Sequence, residues 1–152
     1  LDHARVGADM FAKEFKDNFD FPMSFDEIYE AIDQHSRRHY SGDNPYAKLV
    51  RDADKLGNIR VDHKMEDYNV DVQLGKASPE VIRDFMDRKI VDSSKFRVLL
   101  DHYICILSWA FDYNYNYSQK IIKEEGLNEN ILKNISRHDP KLALQLATVL
   151  SE

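Results

Sequence analysis

A single cysteine, Cys105, among 152 residues excludes an intrachain disulfide framework and fits a reducing compartment, so a cytoplasmic location is expected. Ile104 and Ile106 flank it in an apolar helical pattern, where burial raises a thiol pKa and works against reactivity. No stretch approaches the ~18–20 continuous apolar residues of a membrane span, and the start has no basic-then-apolar signal pattern. Basic blocks are missing too. The formal net charge is −6 with both signs interspersed, so no nucleic-acid partner bound through phosphate neutralisation is expected. A nucleotide as a small substrate stays open. The five glycines are scattered, which leaves no glycine-rich phosphate loop, and the chain has no internal repeat.

What is present is one helical pattern after another. Apolar residues at three- and four-residue spacing predict helices over 2–17, 25–39, 46–56 and 78–88. A long central helix is predicted from Ser93 or Ser94 through Phe111, and two final ones over 128–136 and 140–150. Start signals agree: Ser24 and Glu27 make a capping box, Ser78 precedes Pro79, and Asp139 precedes Pro140 as an N-cap before a first-turn proline. Gly57-Asn58 reads as a helix stop. Tyr68–Leu74 alternates like a short strand but reads as loop or partial helix, and Tyr113–Tyr117 as helix or a turn between helices. The expected fold is all-α, with residues 1–152 forming one helical domain of a length that removes about two thirds of the unfolded surface from water.

Three polar groups fall on positions where the patterns place apolar side chains. Asp54 follows Ala47 by seven residues and Val50 by four, so its carboxylate is expected on an inner edge. An acid there needs a partner, either a metal ion or a salt bridge to Arg51, Lys55 or a cation on another helix. His35 closes the stripe Phe25, Ile28, Ala31, Ile32, and His3 precedes Val6, Gly7, Met10 and Phe11 on another. Each is either a hydrogen-bonded core histidine or, with Asp54, part of one site. His39 reads as a helix-end histidine, and His63 and His102 as exposed or structural.

Asp2-His3-Ala4 with Gly7, then Ala31-Ile32-x-x-His35, then Arg51-Asp52-Ala53-Asp54-Lys55-Leu56, resembles the HD-domain metal-dependent phosphohydrolases. Ser78-Pro79-Glu80-Val81 with Asp84-Phe85-Met86, and Leu107–Asp112 with Tyr117-Ser118, look like the C-terminal helices of small bacterial proteins of that superfamily. The resemblance implies an HD-domain-like helical bundle, with residues 1–60 as the remainder of the HD core and 78–152 as C-terminal helices packing on it. Asp54 matches the distal metal-binding Asp of the family. Its imidazole and carboxylate ligands suit Mn, Fe, Co, Ni, Zn or Mg alike. His3 and His35 match the extra histidines that bind a second metal, or hold the substrate phosphate and protonate its leaving oxygen. Lys55 and Arg38, with Arg37, are candidates to face a substrate phosphate, and Asp52 to orient a ligand.

The family's own His and adjacent His-Asp pair normally precede the part that residues 1–15 resemble. The start at Leu1, already helical, reads as the C-terminal part of a longer protein, and His138-Asp139 reads as a helix cap. The expected activity of the full protein is hydrolysis of a phosphate ester, a nucleotide foremost, by metal-activated water, with this segment alone inactive. The alternative is a degenerate, non-catalytic HD module for interaction or sensing; Gly57, where the family often has Asp, leans that way. Substrate and oligomeric state stay open.

Overall fold

The computed structural model describes residues 2–62 and 75–151. Among them are eight α-helices and no strand: α1 (His3–Phe15), α2 (Phe25–Gln34), α3 (Pro45–Asp62), α4 (Pro79–Met86), α5 (Leu99–Ser108), α6 (Asn116–Glu124), α7 (Leu127–Ser136) and α8 (Pro140–Ser151). The all-α architecture is the one the sequence predicts. The chain divides into two compact units, Leu1–Lys55 and Leu56–Glu152, and α3 runs through the boundary. His63 and the alternating stretch Tyr68–Leu74 lie outside the described residues. No described helix is long and apolar enough to cross a membrane.

In the first unit, small residues let two helices approach closely. Ala4 and Ala8 of α1 and Ala31 of α2 are buried, and a Cβ on Gly7 would stand 3.5 Å from Ile32. Ser24 caps α2 as predicted: its hydroxyl accepts from the Glu27 amide at 3.1 Å, and the Glu27 carboxylate accepts from the Ser24 amide at 3.1 Å. Phe11 stacks on Phe25 at 5.2 Å between ring centroids, and Phe19 of the connecting loop meets both edge-on at 5.9 and 5.5 Å. Aromatic pairs in such geometries add about 0.5–1.5 kcal/mol beyond their burial.

The second unit is organised around α5. Eight of its ten residues are buried, and Ile104 and Leu107 are fully so. A helix apolar on all sides belongs in the middle of a bundle. Val81 and Phe85 of α4, Leu127, Ile131 and Ile135 of α7, and Leu146 of α8 complete the core, each burial stabilising by about 1.5–3 kcal/mol. Cys105 is buried with its thiol toward the Val91 carbonyl, as its apolar neighbours suggest.

Three boundaries differ from the sequence reading. Helix α3 passes Gly57 and Asn58, because Leu56 and Ile59 are buried core residues and that packing outweighs the ~1 kcal/mol cost of a mid-helix glycine. Helix α2 ends at Gln34 rather than near 39. The central helix begins at Leu99, preceded by a short 3-10 turn at Ser93–Lys95 capped by Asp92. The reason is Asp101, fully buried, whose carboxylate accepts from the Arg97 and Val98 amides at 2.9 and 3.3 Å and holds Val98 extended. The same carboxylate accepts from the Ser78 amide and hydroxyl at 2.7 and 2.8 Å, fixing the start of α4. Helix α6 begins at Asn116, inside the tract read as helix or a turn between helices, and runs on to Glu124, which the sequence reading did not anticipate.

Helix α4 ends in a Schellman motif. The Arg88 amide donates to the Phe85 carbonyl and the Lys89 amide to the Asp84 carbonyl, both at 2.9 Å. Arg88 takes the left-handed position with φ 56°, alone among described non-glycine residues. Glycine is the usual occupant, and an L side chain there costs about 1–2 kcal/mol.

The hydrogen bonds from Ser78, Arg97 and Val98 outweigh the burial of the Asp101 carboxyl, which alone would raise its pKa, and hold it below the usual carboxylate value. A depressed folded-state pKa means that its stabilisation is complete above the ordinary value of about 3.9 and is lost as pH falls through the lower folded value. Replacing Asp101 by Asn turns an amide donor toward N–H groups, so the urea midpoint at neutral pH should fall by the equivalent of about 2–3 kcal/mol. The gap between wild type and variant should narrow below about pH 4. Conversely, a Cβ on Gly57 would meet nothing within 4 Å, so Gly57→Ala should raise the urea midpoint by the equivalent of about 0.5–1 kcal/mol.

Candidate functional site

Asp33 of α2 has 3 % exposure, and its carboxylate gathers the polar side chains of the first unit. Arg5 of α1 approaches it twice, Nε 2.8 Å from Oδ1 as an ion pair and Nη2 donating to Oδ2 at 3.2 Å. The Gln34 amide donates to Oδ2 at 2.7 Å, and Arg37 Nη2 lies 3.7 Å from Oδ1. Arg37 also pairs with Asp2 at 2.8 Å, and Asp2 caps α1 by accepting from the Arg5 amide at 3.2 Å. That amide first, and the Arg37 guanidinium after it, lower the Asp2 pKa. Arg5 further donates to the Tyr29 hydroxyl at 2.9 Å, which donates to Asp9 at 2.8 Å; Tyr29 foremost, then Asp33, raises the Arg5 pKa. The start of α1 is thereby tied to the end of α2.

Those two ends carry His3 and His35. Their Nε2 atoms stand 3.2 Å apart, with the rings edge to face at 5.1 Å between centroids. His35 Nδ1 lies 2.6 Å from the Ile32 carbonyl. A carbonyl only accepts, so Nδ1 bears the hydrogen and the Nε2 of neutral His35 is a lone pair receiving the Nε2–H of His3. The structure thus brings the two histidines together, with His3 exposed and His35 half-buried at the C-cap of α2.

Helix α3 supplies the remaining candidates, turned otherwise than the spacing implied. Its inner face is Ala47, Arg51, Asp52 and Lys55, all buried; Val50 is exposed at 38 % and Asp54 half-buried. Arg51 goes inward because the end of α2 offers it acceptors. It donates to the carbonyls of Gln34, at 2.9 Å, and Arg37, and lies over the Tyr40 ring at 5.8 Å. These bonds explain why α2 stops before His39, which is exposed beyond it. Arg38 is exposed three residues after His35.

Two imidazole nitrogens 3.2 Å apart, each about 2.1 Å from a divalent ion, would subtend about 100° at it, between octahedral and tetrahedral values. The pair therefore fits as two adjacent donors. Among the described residues no group of three or more His, Cys, Asp or Glu side chains is placed to hold a metal ion, so a third donor does not come from them. His102 packs against Phe96 and Tyr103, and the Asp139 carboxylate accepts from the Leu142 amide at 2.9 Å as the cap its sequence suggested.

Sequence reasoning missed Asp33 and Arg5. The i,i+4 pair Asp33 and Arg37 was a visible signal, but Arg5, 28 residues from Asp33, was not. We expect Asp33→Ala to destabilise the first unit by about 3 kcal/mol, since two guanidinium groups lose a buried partner. In wild type, ring nitrogen chemical shifts of neutral His35 should report the Nδ1–H tautomer, and this signature should weaken in the variant as the two helix ends part.

No curated protein and no solved structure matches the chain. A family model does, described as HD domain and matching residues 1–59, a span that contains His3, Asp33, His35 and Asp54. On that match, residues 1–59 are similar to the HD domain, and the all-α architecture is consistent with an HD-like bundle.

Proposed function

We propose that the protein is a metal-dependent phosphohydrolase acting on a phosphate ester, a nucleotide foremost, in the cytoplasm. The observation that carries this reading is the 3.2 Å approach of His3 and His35 Nε2 within a segment matching the HD domain, a family of metal-dependent phosphohydrolases. Asp54 is assigned, on the resemblance, as a carboxylate donor to a divalent ion, and His3 and His35 to a second ion or to the substrate phosphate, since among the described residues no three-donor group unites the pair with Asp54. The chemistry such an ion supplies when bound is a lowered pKa for water and polarisation of a phosphoryl oxygen.

The chain's own residues would then act as follows. The Ile32 carbonyl fixes the ring of His35, so its Nε2 is aimed rather than free to swing. His3 presents an Nε2–H that a phosphate or leaving oxygen can accept in place of His35, which suits the pair to delivering a proton. Arg37 is occupied by Asp2 and Asp33 and serves to hold the helix ends. Arg38, exposed nearby in sequence, is the guanidinium assigned to the phosphate, with Lys55 as the second, buried candidate.

The test is made on the full-length protein, stripped of metal and then supplied with Mn, against p-nitrophenyl phosphate and a panel of nucleoside phosphates. Manganese-dependent phosphate release is expected, lost in Asp54→Ala and reduced about 100-fold or more in His35→Ala. Release from no ester with any of the candidate ions would overturn the reading and leave a non-catalytic HD module for interaction or sensing.

A further inference from the structure

We propose that the C-terminal unit holds a binding site of its own for a small phosphate- or carboxylate-bearing anion, centred on Arg88 and Lys123. A cavity of about 270 Å³ is lined by Arg88, Tyr113, Gln119, Lys123, Asn128 and Glu129, among others. Two cations face one acid there, so the wall carries a formal charge of +1.

Arg88 is the anchor. Its backbone occupies a left-handed position normally given to glycine, so the fold retains an unfavourable conformation in order to project this side chain. The guanidinium is held from two sides: Nη1 donates to the Val149 carbonyl at 2.6 Å, and Cζ lies 4.9 Å from the centre of the Phe111 ring. Capping α8 in this way uses one of five N–H donors. No described carboxylate pairs with the group. A guanidinium fixed in place with donors left over is suited to bidentate capture of a planar or tetrahedral oxyanion.

The other walls supply matching donors. Gln119 and Lys123 stand one turn apart on α6, and neither side chain forms a hydrogen bond or ion pair among the described residues. Asn128 lies in the first turn of α7, whose N-cap is Gly126 and has no side chain to satisfy the amides there, so the positive end of that helix opens on the same space. Glu129 is the single carboxylate of the wall, and it favours an anion that also carries a hydroxyl or amine.

Inorganic phosphate and, separately, malonate would be titrated into the nitrogen-15-labelled full chain, following the side-chain amides of Gln119 and Asn128 and the Arg88 Nε–H. Saturable shifts are expected, with affinity falling about tenfold or more in Arg88→Gly and in Lys123→Gln. Arg88→Gly places the preferred residue in the left-handed position, so it should keep its helical content while losing the ligand. Lys123→Gln alters an exposed side chain and serves if the first variant folds poorly. A His3→Ala, His35→Ala double variant should bind unchanged, which separates this site from the histidine pair. The proposal is overturned if neither anion shifts these signals at millimolar concentration. It is equally overturned if both single variants bind like wild type, or if the double variant abolishes binding.

Discussion

A carboxylate with 3 % exposure must be neutralised where it lies, and in the first unit that demand falls on Asp33. Leaving such a charge unpaired costs several kcal/mol. The available cations are on other segments: Arg5 at the start of α1 and Arg37 just past the end of α2. Satisfying the acid therefore fixes the two helices end to end, and Arg51 of α3 reinforces the same corner by binding carbonyls at the close of α2. The meeting of His3 and His35 is a geometric consequence of that corner.

Much of the fold was legible because the signals concerned were local. The Ser24–Glu27 box, the Ser78-Pro79 start and the Asp139-Pro140 cap each involve residues within one turn of each other, and each forms as read. The boundaries that shifted depend on distant partners. Asp101 reaches Ser78, 23 residues earlier, and in doing so keeps Arg97 and Val98 out of the helix. Gly57 and Asn58 looked like a terminus locally, yet Leu56 and Ile59 carry α3 onward through burial, which propensity does not record.

The site divides along the same line. The spacing offered His3, His35 and Asp54 as one inward site or as core histidines; the structure brings the two Nε2 atoms within 3.2 Å, with His3 exposed, and among the described residues groups no third donor with them. The spacing also treated Val50 and Asp54 as inward, where the structure turns Arg51, Asp52 and Lys55 inward. Hydrophobicity was the wrong guide for α3, because carbonyls at the end of a neighbouring helix can solvate a guanidinium as water does. Asp33 escaped notice because its burial depends on a cation 28 residues away in sequence.

His35 occupies the C-cap of α2, and its ring hydrogen bonds to a carbonyl of the last turn. The carbonyls there form the negative pole of the helix dipole, which favours a nearby cation by about 0.3–1 kcal/mol. Any metal ion taken up at the histidine pair would arrive at that pole, and the interaction would work in both directions. Ion binding would suppress fraying of the final turn of α2, and a frayed turn would bind the ion less well. The order of one helix end and the occupancy of the pair would then be linked quantities, each readable from the other.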